Sequence, residues 1–206
     1  MTSLDALPDT LWPPVFKLRP GATLSDDADF FTFCRDNAPW EFERGPKGEL
    51  VIKMPTGGRS GKRSALLSFQ LVRWAIEEGT GEYFDSSTGY IFDNGSIRSP
   101  DVSWVRRTRL DTLSDEQKES FLPIVPDFVV ELRSKTDRIS DLREKMEEYA
   151  SLGVGLGVLL DPDARRAEVY RPGRPVDVLA DPHSIDCGPD LPGFVLDCAA
   201  IFDVTL

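Results

Sequence analysis

Apolar positions along the chain recur with two periods, and the switches between them divide it into elements. After Ser25 the run DDADFFTFCRDN puts acids in a first turn and Phe30, Phe33 and Cys34 on one face, which predicts a short helix capped at Ser25. Residues 41–55 read as two strands around a glycine-containing turn from Gly45 to Gly48. The Gly57-Gly58 pair ends the second strand, and Leu67, Leu71 and Trp74 then recur at helical spacing until Gly79. Between Gly81 and Val105 short β-type runs alternate with turns, Asp93-Asn94-Gly95 being a strong hairpin signal. The polar stretch 106–121 predicts a short helix around SDEQKES.

Pro126-Asp127 leads into FVVEL, a β-forming run of the length of a central strand. Period two places Val129, Glu131 and Arg133 on one face and Val130 and Leu132 on the other. In ISDLREKMEEYASLG, the residues Leu142, Met146, Tyr149 and Leu152 form an apolar stripe that docks a helix on a sheet. Lys145 borders that stripe, Glu144 and Glu147 point toward water, and Gly153 closes the helix. VGLGVLLDP and RRAEVYRP follow as two strands joined by a turn from Asp161 to Arg165, and the tail supplies one more strand and a closing segment. Residues 1–24, with Pro8, Pro13, Pro14 and Pro20, keep no sustained period and read as an arm on the surface or on a partner subunit. One α/β (α+β) domain over 25–206 is the expectation.

Composition narrows the class. At 206 residues the chain can bury one real core. Three cysteines, Cys34, Cys187 and Cys198, stand far apart without CxxC spacing, which argues against a disulfide framework or a zinc site and for a reducing, cytoplasmic setting. No run approaches the roughly 20 apolar residues that span a bilayer, and the first residues lack the pattern of a secretory signal, so neither export nor membrane insertion is expected. The net charge of -11 argues against broad non-specific affinity for nucleic acid, which needs cations to replace phosphate counterions. It is compatible with carboxylates that hold a divalent cation.

The stretch from Arg98 to Leu152 concentrates the candidate chemistry. Asp101 opens one strand-like segment, Glu131 lies near the end of another, and Lys145 follows on the next helix. Magnesium needs one or two carboxylates plus water and phosphate oxygens, and Asp101, Glu131 and the backbone carbonyl of Leu132 can supply such a set. Lys145 can orient a water or offset developing negative charge. Arg133 competes for that role, as a fixed cationic fork better suited to clamping phosphate than to proton traffic. Arg59, Lys62 and Arg63, at the start of the second predicted helix, are candidate phosphate contacts. On spacing alone, acids at strand ends beside Lys or Arg are more often plain ion pairs.

Several segments, in order, carry a resemblance: FFTFCRDN, GELVIKMPTGG, FDSSTGYIF, SPDVSWVRR, PDFVVELRSKTD, EKMEEYASLGV, LLDPDARRAEVYRPG and LPGFVLD. Over roughly residues 25 to 203 the chain resembles the bacterial Uma-two family of putative restriction endonucleases, within the PD-(D/E)XK nuclease superfamily. The resemblance implies a restriction-endonuclease-like core, a mixed central β-sheet flanked by helices, with magnesium or manganese as cofactor. Pro100-Asp101 matches the PD element and Glu131 the second acid, while Arg133 stands where the superfamily has lysine. The family's helix lysine corresponds to Lys145. Glu43 corresponds to an acid in the N-terminal part of the family pattern and is a candidate third metal ligand.

The reading that follows is a magnesium-dependent DNA endonuclease, with a homodimer expected by analogy because cutting both strands needs two sites. Two rivals stay open: a catalytically idle nucleic-acid- or protein-binding module that keeps the fold, and a sugar hydrolase with Asp101 and Glu131 as acid and base. His183, the one histidine, sits in a polar DPHS context, so neither a histidine metal pair nor a triad with Ser86, Ser87 or Ser134 is expected. Trp74 and Trp104 read as core, and Gly57-Gly58 with Gly61-Lys62 lacks P-loop spacing.

Overall fold

A computed structural model describes residues 16–206. The chain begins with α1 (Asp27–Asp36), the hairpin β1 (Glu41–Arg44) and β2 (Leu50–Lys53), and the long helix α2 (Gly58–Glu78). Next come β3 (Gly81–Asp85), β4 (Tyr90–Ile91), β5 (Ile97–Arg98), β6 (Val102–Arg106) and the short helices α3 (Arg107–Leu110) and α4 (Asp115–Lys118). The second half holds β7 (Phe128–Leu132), α5 (Ile139–Ser151), β8 (Leu156–Asp161), β9 (Arg166–Tyr170), β10 (Asp177–Ala180), β11 (Ser184–Asp186), β12 (Val195–Asp197) and α6 (Cys198–Phe202).

Local chemistry accounts for most of the boundaries. The cap of α1 is Asp26, one residue later than the expected Ser25: its side chain accepts from the Asp29 N–H, and Ser25 instead pairs with Thr23. Helix α2 runs until Gly79, which adopts a left-handed φ of 75° and donates to Ala75 O. Helix α4 starts with a capping box between Ser114 and Gln117. Beyond the expected single strand, the tail also forms the hairpin β11–β12 and α6. Strands of three residues leave too short an alternation to be read in sequence.

The main sheet has six strands in the order β10-β9-β8-β7-β6-β3. It is mixed: β7 and β8 are parallel, joined by the α5 crossover, and every other pairing in it is antiparallel. On one face α2 sets Leu67, Leu71 and Trp74 against Trp104, Phe128, Val130 and Val158. On the other, α5 sets Met146 and Tyr149 against Val129 and Leu159. Each such fully buried side chain contributes about 2 kcal/mol. A separate four-stranded sheet, β2-β1-β5-β4, packs with α1 around Phe30, Phe33, Phe42 and Ile97.

Residues 1–15 of the expected arm lie outside the described residues. Residues 16–24 lie against the domain: Phe16 packs edge-on against Phe42, and Lys17 exchanges two backbone hydrogen bonds with the Asn37 side chain. No described helix is long and apolar enough to cross a membrane.

Candidate active site

Two strand registers bring the acids and bases together. Strands β6 and β7 pair antiparallel with Val102 opposite Val130, and one step further along that register Asp101 faces Glu131. Paired residues share a sheet face, so both carboxylates lie on the side covered by α5. Asp101 Oδ2 accepts the Leu132 N–H at 2.7 Å, which fixes its carboxylate at the end of β7. In the smaller sheet Arg44 pairs with Ile97, and the same step sets Glu43 opposite Arg98.

Helix α5 closes the arrangement. Its apolar stripe seats Met146 and Tyr149 on the sheet, and Lys145, beside Met146, reaches between the two sheets. Lys145 Nζ lies 2.8 Å from Glu131 Oε1 and 2.9 Å from Glu43 Oε1. The Tyr149 hydroxyl donates to Glu131 Oε1 at 3.1 Å. Glu43 also accepts the Ser99 N–H at 3.0 Å and has Lys53 at 3.4 Å and Arg98 at 3.5 Å. Arg98 in turn donates to Glu148 Oε2 at 2.5 Å, tying β5 to α5.

These contacts separate the three acids electrostatically. Burial pushes Glu43 up, but Lys145, Lys53 and Arg98 together outweigh it and hold the carboxyl down to about 2. Burial raises Glu131 to about 7: Lys145 offsets only part of the desolvation, and Asp101 and Glu43 add repulsion. Asp101 is also raised, by burial first, against the opposing pull of the Leu132 N–H and of Lys53 and Lys145. Lys145 is raised although burial opposes it, because Glu131 and Glu43 flank its ammonium. A carboxyl pair of this kind gains from a nearby cation.

Asp101, Glu131, Leu132 and Lys145 line one open cleft of about 1080 Å³ between α5, the β1–β2 hairpin and the start of α2. Glu43 lies at its base, yet its oxygens face Lys145, Lys53, Arg98 and the Ser99 N–H, so it holds the cations rather than offering a vacant ligand position. Arg133 turns aside: its Nη1 bonds Asp161 at 2.8 Å. Of the α2 cluster, Arg63 is buried and donates to Ile201 O and Phe202 O at the end of α6, and Lys62 donates to Thr205 O. Arg59 is exposed, and the α2 residues on the cleft wall are Ser60 and Ser64. His183 is exposed, away from the cleft lining.

Four participants escaped sequence reasoning: Lys53, Arg98, Tyr149 and Glu148. For Tyr149 a signal existed, since a tyrosine in a buried stripe needs a partner for its hydroxyl. Arg98 sits in the same RSPD segment as Asp101, but nothing in sequence announces that β1 lies beside it.

The donor set suits a hard divalent cation. Among the described residues, Asp101 Oδ1 and Glu131 Oε2 accept no hydrogen bond. No group of three His, Cys, Asp or Glu side chains of metal-holding geometry forms among those residues. Two carboxylates with one backbone carbonyl, completed by water, match the sparse protein ligation that magnesium accepts.

The mixed six-stranded sheet flanked by helices is shared with a solved structure. The crystal structure of a putative nuclease of the DUF820 group from Anabaena variabilis ATCC 29413 superposes with a TM-score of 0.67, at 17% identity, covering 78% of this chain and 89% of that one. At that identity the likeness shows the fold. The sequence profile of the Uma2 family, described as putative restriction endonuclease, matches residues 27–199, and the chain belongs to that family. None of the curated proteins matches the sequence.

Proposed function

We propose that the protein is a magnesium- or manganese-dependent endonuclease that hydrolyses phosphodiester bonds of DNA. The observation that carries this reading is the facing pair Asp101 and Glu131 in an open cleft, with the Lys145 ammonium 2.8 Å from Glu131. A magnesium ion held by Asp101, Glu131 and the Leu132 carbonyl would supply a Lewis acid and a water of lowered pKa. Asp101 and Glu131 provide the negative charge that holds such an ion. Lys145, fixed from both sides by Glu43 and Glu131, presents a positioned ammonium to a phosphate oxygen or an attacking water. Glu43 and Arg98 keep Lys145 in place, and Tyr149 orients Glu131. Arg59 is the candidate backbone-phosphate contact at the start of α2. A cytoplasmic homodimer completes the reading, supplying one site per strand.

Nicking of supercoiled plasmid in the presence of magnesium or manganese tests it. Wild-type protein is expected to nick with either ion and not in chelator, and Asp101→Asn to be inactive with an unchanged circular dichroism spectrum. Active Asp101→Asn protein would refute the assignment.

One observation favours a second reading, a binding module that no longer cuts: acidic side chains outnumber basic ones along the cleft, which disfavours a DNA backbone. That module would bind its partner equally well with and without divalent metal.

A further inference from the structure

The basic side chains of the cleft are not equivalent. Lys145 is gripped by Glu43 and Glu131, and Arg98 by Glu148 with Glu43 beyond it, so the charge of each is matched by carboxylates in contact. Arg138 is exposed at the rim. Lys53, on β2, is held differently. Its Nζ donates to Ser99 O at 2.6 Å and to Ser86 O at 3.2 Å, while Glu43 Oε1 stands at 3.4 Å. Backbone carbonyls orient an ammonium without cancelling its charge, whereas a carboxylate at hydrogen-bond distance does both. Two carbonyls occupy two of the three N–H donors.

Position adds to this. The Lys53 side chain keeps 24% exposure against 11% for Lys145 and 11% for Arg98, and it lines the same cleft as Asp101 and Glu131. Its charge acts on Asp101 ahead of that of Lys145. An oriented, incompletely neutralised cation beside a carboxylate pair is suited to an anionic oxygen of a ligand.

We infer that Lys53 is a substrate-contacting residue whose third N–H binds a non-bridging oxygen of the phosphodiester backbone; the inference rests on the nuclease reading above. The oxygen it binds belongs to a phosphate flanking the scissile one, whose charge does not change during the reaction, and the carbonyls of Ser86 and Ser99 hold the ammonium in place for it, so the contact is equally strong in the ground state and the transition state. Such uniform binding lowers KM and leaves kcat alone. The same charge opposes a metal cation at Asp101, so the residue trades metal affinity for substrate affinity.

Steady-state cleavage of a labelled duplex oligonucleotide by the full chain, with magnesium affinity measured by calorimetry on each protein, tests the assignment. Lys53→Met is expected to raise KM about tenfold with kcat within about twofold, and to bind magnesium several-fold more tightly because a neighbouring positive charge is gone. Lys53→Arg should recover most of the KM loss, and Lys145→Met should lose kcat instead. Should Lys53→Met not fold, Lys53→Gln keeps an N–H donor for the carbonyls without the charge and carries the same comparison. Wild-type KM and magnesium affinity in the neutral variants, with only a lower Tm, would make Lys53 a strut between β2 and the Ser86 and Ser99 segments; the nuclease reading would survive that result. A wild type that neither cleaves nor binds magnesium overturns both.

Discussion

At the scale of single residues, the site consists of three buried or half-buried acids that differ in what surrounds them. Asp101 accepts the Leu132 N–H, a role an asparagine carbonyl can also fill. Asp101→Asn is therefore expected to fold with a Tm equal to or above wild type, because it removes a carboxylate that burial disfavours; differential scanning calorimetry checks this. Glu43 is held down to about 2, below its unfolded value of about 4.3. Its stabilisation is complete above the unfolded pKa and is lost as pH falls through the folded one. Acid unfolding of wild type between about pH 4 and 2 should thus show a loss of stability that Glu43→Gln does not show. Glu131 shifts the other way, to about 7, so the folded protein keeps a proton that the unfolded chain releases. Its contribution to stability falls as pH rises from about 4.3 to about 7. A metal held by Glu131 as proposed would have to displace that proton, so magnesium affinity measured by calorimetry should rise about tenfold per pH unit up to about 7 and then level off.

At the scale of elements, α5 is the piece on which the site depends. It crosses between the parallel strands β7 and β8 and carries Lys145 to Glu43 and Glu131, Glu148 to Arg98, and Tyr149 to Glu131. Its seat includes Gly157 on β8, where an added Cβ would come within 2.6 Å of Met146 Cε. Because that atom is the far end of a flexible side chain, Gly157→Ala is expected to be absorbed by a shift of Met146 at a cost of under about 1.5 kcal/mol in urea denaturation and, because Met146 adjoins Lys145, to reduce cleavage more than that loss would suggest. The elements themselves were legible in sequence where the pattern was long: FVVEL as a buried strand, the stripe Leu142, Met146, Tyr149 as a docked helix, and the turn at Asp161–Arg165 all form as read. The candidate pair Asp101 and Glu131 was also legible, since each ends or begins an apolar run. What was not legible depends on distant pairing. Glu43 meets Lys145 across 102 positions, and no local period reports that the β1–β2 hairpin folds over α5. Arg63 shows the reverse case. A basic residue in the first turns of a helix reads as solvent-facing, yet here it is buried against the end of α6, about 138 positions away.

At the scale of the whole molecule, the net charge of -11 and the acid-rich cleft work against a polyanion. On the nuclease reading proposed above, divalent metal would be required for DNA binding as well as for cutting. Fluorescence anisotropy with a labelled oligonucleotide is expected to show little binding in chelator and clear binding in calcium, which neutralises the carboxylates without supporting turnover. Equal binding in both conditions would favour the idle module. The ion-pair network joins β1 and β5 to α5, beside the Tyr90–Ser103 hydrogen bond and the Phe84–Tyr90 contact that link β4 to the main sheet, so it both ties the two sheets together and shapes the site.

The most direct test of the central claim is a calorimetric magnesium titration of wild type and of the Asp101→Asn/Glu131→Gln double variant at pH 8, above the value of about 7 to which Glu131 is raised. One saturable site in the wild type, absent from the double variant, is the expected result. Equal heats from the two proteins would contradict a metal centre at Asp101 and Glu131.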